Sequence, residues 1–341
     1  MPEGEMKAAF IKEVGPPEKI IIGDLPDPKP GPGQYLVKVM AADVNPIDTY
    51  IRSGTIKLNL PMPYVIGCSF AGSIAGAGAN AKRFKIGDRV WGSNQGLQGR
   101  QGASAEYIVV DEQWLYPSPN GVSDEQLAAI ALVGITAHLG LVRHAKLSPW
   151  EVLFVNGGSG GVGSAVVQIA KAIGAYVITT AGSDEKVAKC KKLGADLVIN
   201  YKTEDVDATI KNFAPQGTNL GVSVWWETLR EPDFDRAVNA LVPRGRIILM
   251  AGRDARPQFP VGPFYVKDCS LHGFAMFNAR PEDQRAAAMD ICKWMSEGKL
   301  RANIDRVLPL AEAATAHRLQ EENTIGKKGT LAGKIVLKIS G

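Results

Sequence analysis

Four cysteines in 341 residues, Cys68, Cys190, Cys269 and Cys292, lie far apart with no C-x-x-C pair. That spacing excludes a disulfide framework and a zinc ribbon, and the thiols read as reduced and mostly buried. Histidine is equally scarce. His138, His144, His272 and His317 are scattered with no H-E-x-x-H, so the roughly three ligands of a catalytic zinc or four of a structural one do not assemble. Neither charge sign dominates: 39 Lys and Arg against 35 Asp and Glu leave +4 with no basic tract, which does not suggest nucleic acid. No run approaches the roughly 20 uninterrupted apolar residues of a membrane span. Residues 1–6, with Glu3 and Glu5, lack a signal peptide's basic and apolar regions. The expectation is a cytoplasmic protein without a membrane segment.

The sequence does carry an abundance of glycine at one turn, Gly157-Gly158-Ser159-Gly160-Gly161-Val162-Gly163. An apolar β-type run, Val152-Leu153-Phe154-Val155, precedes it, and residues 165–173 follow as a buried helix ending at Gly174. Gly158, Gly160 and Gly163 satisfy G-x-G-x-x-G, where glycines allow the tight turn, the approach of a pyrophosphate to the main chain and the packing of helix on strand. The helix amino terminus offers N–H groups and partial positive charge to phosphates. Further strands at 175–180, 196–199, 222–226, 246–251 and 269–275 alternate with helical stretches, so a doubly wound parallel sheet is expected over 132–278.

Residues up to about 130 read differently. Short β runs at 6–12, 20–22, 35–40, 65–75, 89–92 and 105–110 are broken by Pro and Gly, as in a barrel of non-local strands. A helix at 282–295, another at 311–319 and an alternating strand at 334–339 close the chain. With 45% apolar residues the chain is long enough for two domains. Inside the barrel region, Asn45 caps a short helix with Pro46 first, Asp48 in the first turn and Gly54 at the end. Asp48 and Arg52, four apart, are positioned to pair on one side, with Ile47, Tyr50 and Ile51 on the other.

Together these pieces resemble the zinc-independent, zeta-crystallin-like quinone oxidoreductase branch of the medium-chain dehydrogenase/reductase family. The matching residues are Asn45-Pro46-x-Asp48-Thr49-Tyr50-Ile51-Arg52-Ser53-Gly54, Gly67 with Ala71-Gly72, Gly87-Asp88-Arg89-Val90, Ala105-Glu106-Tyr107, Thr136-Ala137, the glycine turn, Thr180-Ala181-Gly182, Gly194-Ala195, Gly245-Arg246 and Gly333-Lys334. The resemblance implies an α/β protein: a GroES-like β-barrel catalytic domain, residues 1–131 with 279–341, and an inserted Rossmann domain, residues 132–278. Two departures, Gly67-Cys68-Ser69-Phe70 and the Trp225-Trp226 pair, are expected to flank the cleft and to bear on substrate identity. Where zinc-dependent relatives place a Cys ligand and a Gly-His-Glu, this chain has Asp43 and Gly67-Cys68-Ser69, so no metal is expected. Without one, the easier hydride acceptor is a quinone or α,β-unsaturated carbonyl, whose developing charge a hydrogen-bond donor stabilises.

NAD-specific folds usually place a carboxylate at the end of the second strand. Here that strand ends Thr180-Ala181-Gly182-Ser183, with Lys186 one turn on. Ser183 reads either as a helix cap or as a phosphate ligand, and Lys186 either as solvated surface or as a counter-charge; Asp184 is the one carboxylate near enough to reach a ribose. The resemblance adds Tyr201 and Lys328, and NADPH is the expected cofactor. It also implies that Ser159, Gly160, Gly161 and Val162 hold the pyrophosphate. Gly182, Ser183, Lys186 and Tyr201 surround the adenosine ribose, while Thr136, Gly252, Phe277 and Asn278 complete the cofactor site. Asn45 and Tyr50 lie beside the nicotinamide, with Tyr50 as proton donor or oxyanion stabiliser. Enoyl thioester reduction, with Arg253 and Arg256 at a basic entrance, and an NADPH-binding module of little turnover are the alternative readings. Edge pairing of the last Rossmann strand implies a homodimer.

Overall fold

The computed structural model describes residues 4–213, 215 and 221–340. The chain forms two compact units, Met1–Leu132 with Pro281–Ser296 and Arg301–Gly341, and Val133–Arg280 with Glu297–Leu300.

The first unit is GroES-like and built on two sheets. In the smaller, Glu5–Ile11 lies between Ile21–Pro26 and the two-residue Tyr64–Val65, antiparallel to both. The larger has the order Ile304–Pro309, Lys334–Lys338, Gln34–Val44, Phe70–Ala77, Arg89–Gly92, Leu115–Pro117. Gln34–Val44 is its spine. Its first half pairs with Tyr107–Asp111 and its end with the closing strand, in the register Asp43↔Val336 and Val44↔Ile335. That register brings Lys334, next in line, beside Asn45. The apolar run at 65–75 is not one strand: Gly67 is left-handed at φ 100°, and the chain breaks there into Tyr64–Val65 and Phe70–Ala77. Strand Ile304–Pro309 was not foreseen, because it is half-exposed and carries no clean alternation.

The second unit is a six-stranded parallel sheet in the order Leu197–Asn200, Tyr176–Ala181, Val152–Val155, Val222–Glu227, Leu241–Leu249, Ser270–Gly273. The chain winds outward from Val152–Val155 in one direction, then returns to lay Val222–Glu227 on that strand's other side. The reversal is the switch point at which doubly wound sheets bind ligands beyond the strands' carboxyl ends. Trp225 stacks on Phe154 with ring centroids 4.0 Å apart, and Trp226 meets Phe274 edge-on. Both indoles are fully buried. The tryptophan pair, expected to flank the cleft, therefore belongs to the core and exposes no indole.

Helix Asp124–His138 continues as a π turn, Leu139–His144. The combined 21 residues are long and apolar enough to cross a membrane, which the run-by-run reading of the sequence did not register, but 78% of the most apolar window is buried in the protein. All four cysteines are free, and all but Cys269 are buried.

Candidate cofactor and active site

The glycine turn follows strand Val152–Val155 and leads into helix Gly161–Ile173, which starts at Gly160. A Cβ on Gly163 would lie 2.3 Å from the Gly157 carbonyl oxygen, so no larger residue lets the helix close onto the strand. Thr180 holds the turn from the neighbouring strand: its Oγ1 accepts from Gly157 N–H at 3.0 Å and its carbonyl from Gly158 N–H at 3.2 Å. On the other side stands Glu227, a buried carboxyl pushed up by desolvation. Its oxygens accept from Leu229 N–H at 2.7 Å, Trp225 Nε1 at 3.1 Å and Asn156 Nδ2 at 3.5 Å. Sequence reading missed Glu227; its only signal was a lone carboxylate closing an apolar run. The first N–H groups of helix Gly161–Ile173 have no intrahelical acceptor, and Gly161 and Val162 begin it, as an anion site requires.

Four predicted ribose residues come together at the next strand end. Gly182 and Ser183 follow Tyr176–Ala181, and Ser183 Oγ accepts from Lys186 N–H at 3.3 Å as the cap of helix Asp184–Lys192. Tyr201 follows Leu197–Asn200, bonds Ala181 O through its main chain at 3.2 Å, and has its hydroxyl over Gly182. It is 55% exposed, a large apolar ring left in solvent. Asp184 is tied back, its Oδ1 accepting from Asn200 Nδ2 at 3.1 Å. The Ser183 and Tyr201 hydroxyls thus stand at these strand ends with Lys186 one turn into the helix, and the exposed Asp184 bonds Asn200 beside them.

Gly252 follows the fifth strand with φ 78°, and Phe277 and Asn278 sit on the 3-10 turn Met276–Asn278 beyond the sixth. Ser159 and Thr136 are buried in this unit. Lys328 belongs to the first unit, where its ammonium pairs with Glu322 at 3.1 Å.

In the first unit, Asn45 is fully buried at the end of strand Gln34–Val44, and helix Pro46–Arg52 starts from it. Its main-chain N–H donates to Asp48 Oδ2 at 2.7 Å, reciprocated by Asp48 N–H to Asn45 O at 3.0 Å. Its side chain turns away from the helix. Nδ2 donates to Asp43 Oδ1 at 2.7 Å and to Ser69 Oγ at 3.4 Å, while Oδ1 accepts from Lys334 Nζ at 2.6 Å. Asp48 does not pair with Arg52. It is buried toward Cys68, and desolvation, reinforced by the Asp43 charge, pushes its carboxyl up to about 7. Arg52, also buried, bonds instead to Glu321 and to Gly15 O, because helix Ala313–Thr324 packs on that side. Tyr50 is half-buried on the same short helix.

Residues 31–120 match the family model for the alcohol dehydrogenase GroES-like domain, and residues 161–294 that for zinc-binding dehydrogenase. The chain is 33% identical to a quinone oxidoreductase of Sus scrofa over 333 residues, 97% of each protein. It is 32% identical to a trans-enoyl reductase of Aspergillus terreus over 329 residues, 91% of this chain and 87% of that one. Among solved structures, an NAD-dependent alcohol dehydrogenase superposes with a TM-score of 0.86 at 30% identity, covering 98% of this chain and all of the other. A mycobacterial protein complexed with NADPH superposes with 0.82 at 28% identity, covering 98% and 99%. The side chains present do not form the ligand set that the zinc-binding description implies. Among the described residues, no group of three or more His, Cys, Asp or Glu side chains is gathered to hold an ion. The cation facing Asp43 Oδ2 is the Lys334 ammonium, 3.0 Å away.

Proposed function

Because the chain belongs to the medium-chain dehydrogenase/reductase family, on its quinone oxidoreductase branch, we propose that it is an NADPH-dependent reductase of quinones or α,β-unsaturated carbonyls. It acts without zinc, in the cytoplasm, as a homodimer.

The observation that carries the coenzyme choice is the end of strand Tyr176–Ala181. Ser183, Lys186 and Tyr201 gather there, and the exposed Asp184 bonds Asn200, which supports a reading in which the donors for a 2′-phosphate outweigh the carboxylate charge beside them. A hydrogen bond to a charged group contributes roughly 1.5–3 kcal/mol, which supports about a tenfold to hundredfold preference over NADH. Ser159, Gly160, Gly161 and Val162 would hold the pyrophosphate against bare main chain. Gly182 and Lys328 join the ribose group, and Thr136, Gly252, Phe277 and Asn278 line the remainder. When bound, NADPH supplies the hydride.

The protein's contribution is position and charge. Tyr50 donates a hydrogen bond to the oxygen on which negative charge develops. The Asn45 amide is wholly engaged by Asp43, Ser69 and Lys334, so Asn45 acts as a positioning residue for the Tyr50 helix. Alcohol oxidation would require help in removing a proton, which metal enzymes obtain from the ion. An electron-poor acceptor needs only placement and a donor.

Likeness to a trans-enoyl reductase favours enoyl thioesters as a second reading, with the exposed Arg253 and Arg256 facing a phosphorylated arm. Stopped-flow oxidation of bound NADPH by benzoquinone, phenanthrenequinone, an alkenal and crotonyl-CoA separates the readings. Fast oxidation by quinones or the alkenal supports the proposal, and a preference for crotonyl-CoA supports the second. Tight NADPH binding with no oxidation by any acceptor indicates a binding module.

A further inference from the structure

A lysine is rarely as buried as Lys334, at 3% exposed, unless its ammonium is paired. Here Val44 O lies at 2.9 Å, Asn45 Oδ1 at 2.6 Å and Asp43 Oδ2 at 3.0 Å. These oxygens, two accepting hydrogen bonds and the third paired by charge, come from three consecutive residues where strand Gln34–Val44 passes into helix Pro46–Arg52, and the closing strand's register delivers the ammonium to that point. The other end of the Asn45 amide donates to Asp43 Oδ1. An amide held between a cation and a carboxylate has one orientation, since a flip would set its NH2 against the ammonium.

The resemblance set out above implies that Asp43 and Gly67-Cys68-Ser69 stand where zinc-dependent relatives carry ligands, yet an ammonium faces the Asp43 carboxylate. We propose that Lys334 is the built-in cation of this pocket and a positioning residue for the reaction. It neutralises Asp43 and locks the Asn45 amide. Through the Asn45 N–H bond to Asp48 it also fixes the first turn of the helix bearing Tyr50, and it leaves no role for a divalent metal at this cluster. The effect on turnover rests on the reading of Tyr50 given above, whereas the effect on the helix does not.

The test uses Asp43→Asn as background, so that removing the lysine strands no buried carboxylate. Adding Lys334→Met is expected to raise amide hydrogen exchange in residues 46–52 by about tenfold or more. It is expected to lower the single-turnover rate of hydride transfer to benzoquinone by about the same factor, with NADPH affinity held within about twofold. Equal exchange and equal rates in D43N and D43N/K334M would overturn the proposal, reducing Lys334 to a neutraliser of Asp43. Should the protein transfer no hydride at all, the functional reading fails while the exchange comparison still decides this one: a rise supports the locked helix and no change refutes it. Cobalt(II) titration of the unmodified protein is expected to show no uptake at the cluster. Equimolar uptake with a thiolate-to-cobalt band abolished by Cys68→Ala would also overturn it.

Discussion

The Tyr201 hydroxyl lies directly over Gly182, so that a Cβ on that glycine would come within 2.3 Å of the phenolic oxygen. Two strand ends are thereby joined at the place proposed to receive the adenosine ribose. If this place holds a 2′-phosphate, Lys186→Ala and Tyr201→Phe weaken NADPH binding by about tenfold to hundredfold each while leaving NADH nearly unchanged. Fluorescence titration with both coenzymes measures this. Equal losses would remove the phosphate from the assignment.

The glycine turn separates fold from binding. Alanine at Gly163 places Cβ 2.3 Å from the Gly157 carbonyl, main chain against main chain, and is expected to cost about 1–3 kcal/mol of stability as the helix is pushed off the strand. Alanine at Gly160 meets that carbonyl only at 3.3 Å, so the fold should tolerate it. Its methyl group would then stand where the pyrophosphate is proposed to approach, and NADPH affinity should fall with little change in melting temperature. Similar thermal profiles for both variants would contradict this division.

How much of this was legible in the sequence follows from the range of the interactions involved. The strand, glycine turn and helix were readable because one local pattern fixes all three, and the cap at Asn45 was readable because it needs only neighbours. The pairing of Asp48 with Arg52 was misread for the same reason: helical spacing sees four residues, whereas Glu321 and Cys68 arrive from distant segments. Lys334 joins Asn45 across 289 residues, through a strand register that no periodicity encodes. Tryptophan content signalled apolar bulk at 225–226 but not which way it faced. The partner it needed, Gly140, whose missing side chain leaves room for the Trp226 ring, lies in a helix far upstream.

Two buried groups give stability opposite dependences on pH. Burial, then the charge of Arg52, lowers the His317 pKa to about 3 from its usual 6.5. Between those values the unfolded chain takes up a proton that the folded one refuses, so this contribution is whole above pH 6.5 and drains as pH falls, by at most about 1.4 kcal/mol per unit. Asp48, raised from 3.8 to about 7, does the reverse: the folded state keeps a proton that the unfolded chain has released. Its contribution is whole below 3.8 and is lost as pH rises to 7. His317→Leu should flatten the acid limb of melting temperature against pH, and Asp48→Asn should raise stability at pH 8 more than at pH 4. Acid limbs that superimpose for wild type and H317L would refute the histidine assignment.

The last strand of the parallel sheet, Ser270–Gly273, pairs with Leu241–Leu249 on one side and, among the described residues, with no strand on the other. Such an edge presents unpaired N–H and C=O groups to any strand that can reach it. Apolar side chains crowd the adjoining chain: Leu271 is 38% exposed, and on helix Val261–Val266 the exposures of Val261, Tyr265 and Val266 are 64%, 67% and 71%. Apolar exposure next to an open edge is what the proposed homodimer would cover. A twofold axis through the edge would pair Ser270–Gly273 antiparallel with its copy and bury the same residues from both partners. Sedimentation velocity should therefore show a dimer that Leu271→Lys converts to monomer while NADPH binding survives. The substitution is discriminating because the symmetry acts twice: each copy would carry a charge into the apolar interface, and burying an unpaired charge costs several kcal/mol. A wild-type monomer, or a dimer indifferent to the charge, would place the association surface elsewhere.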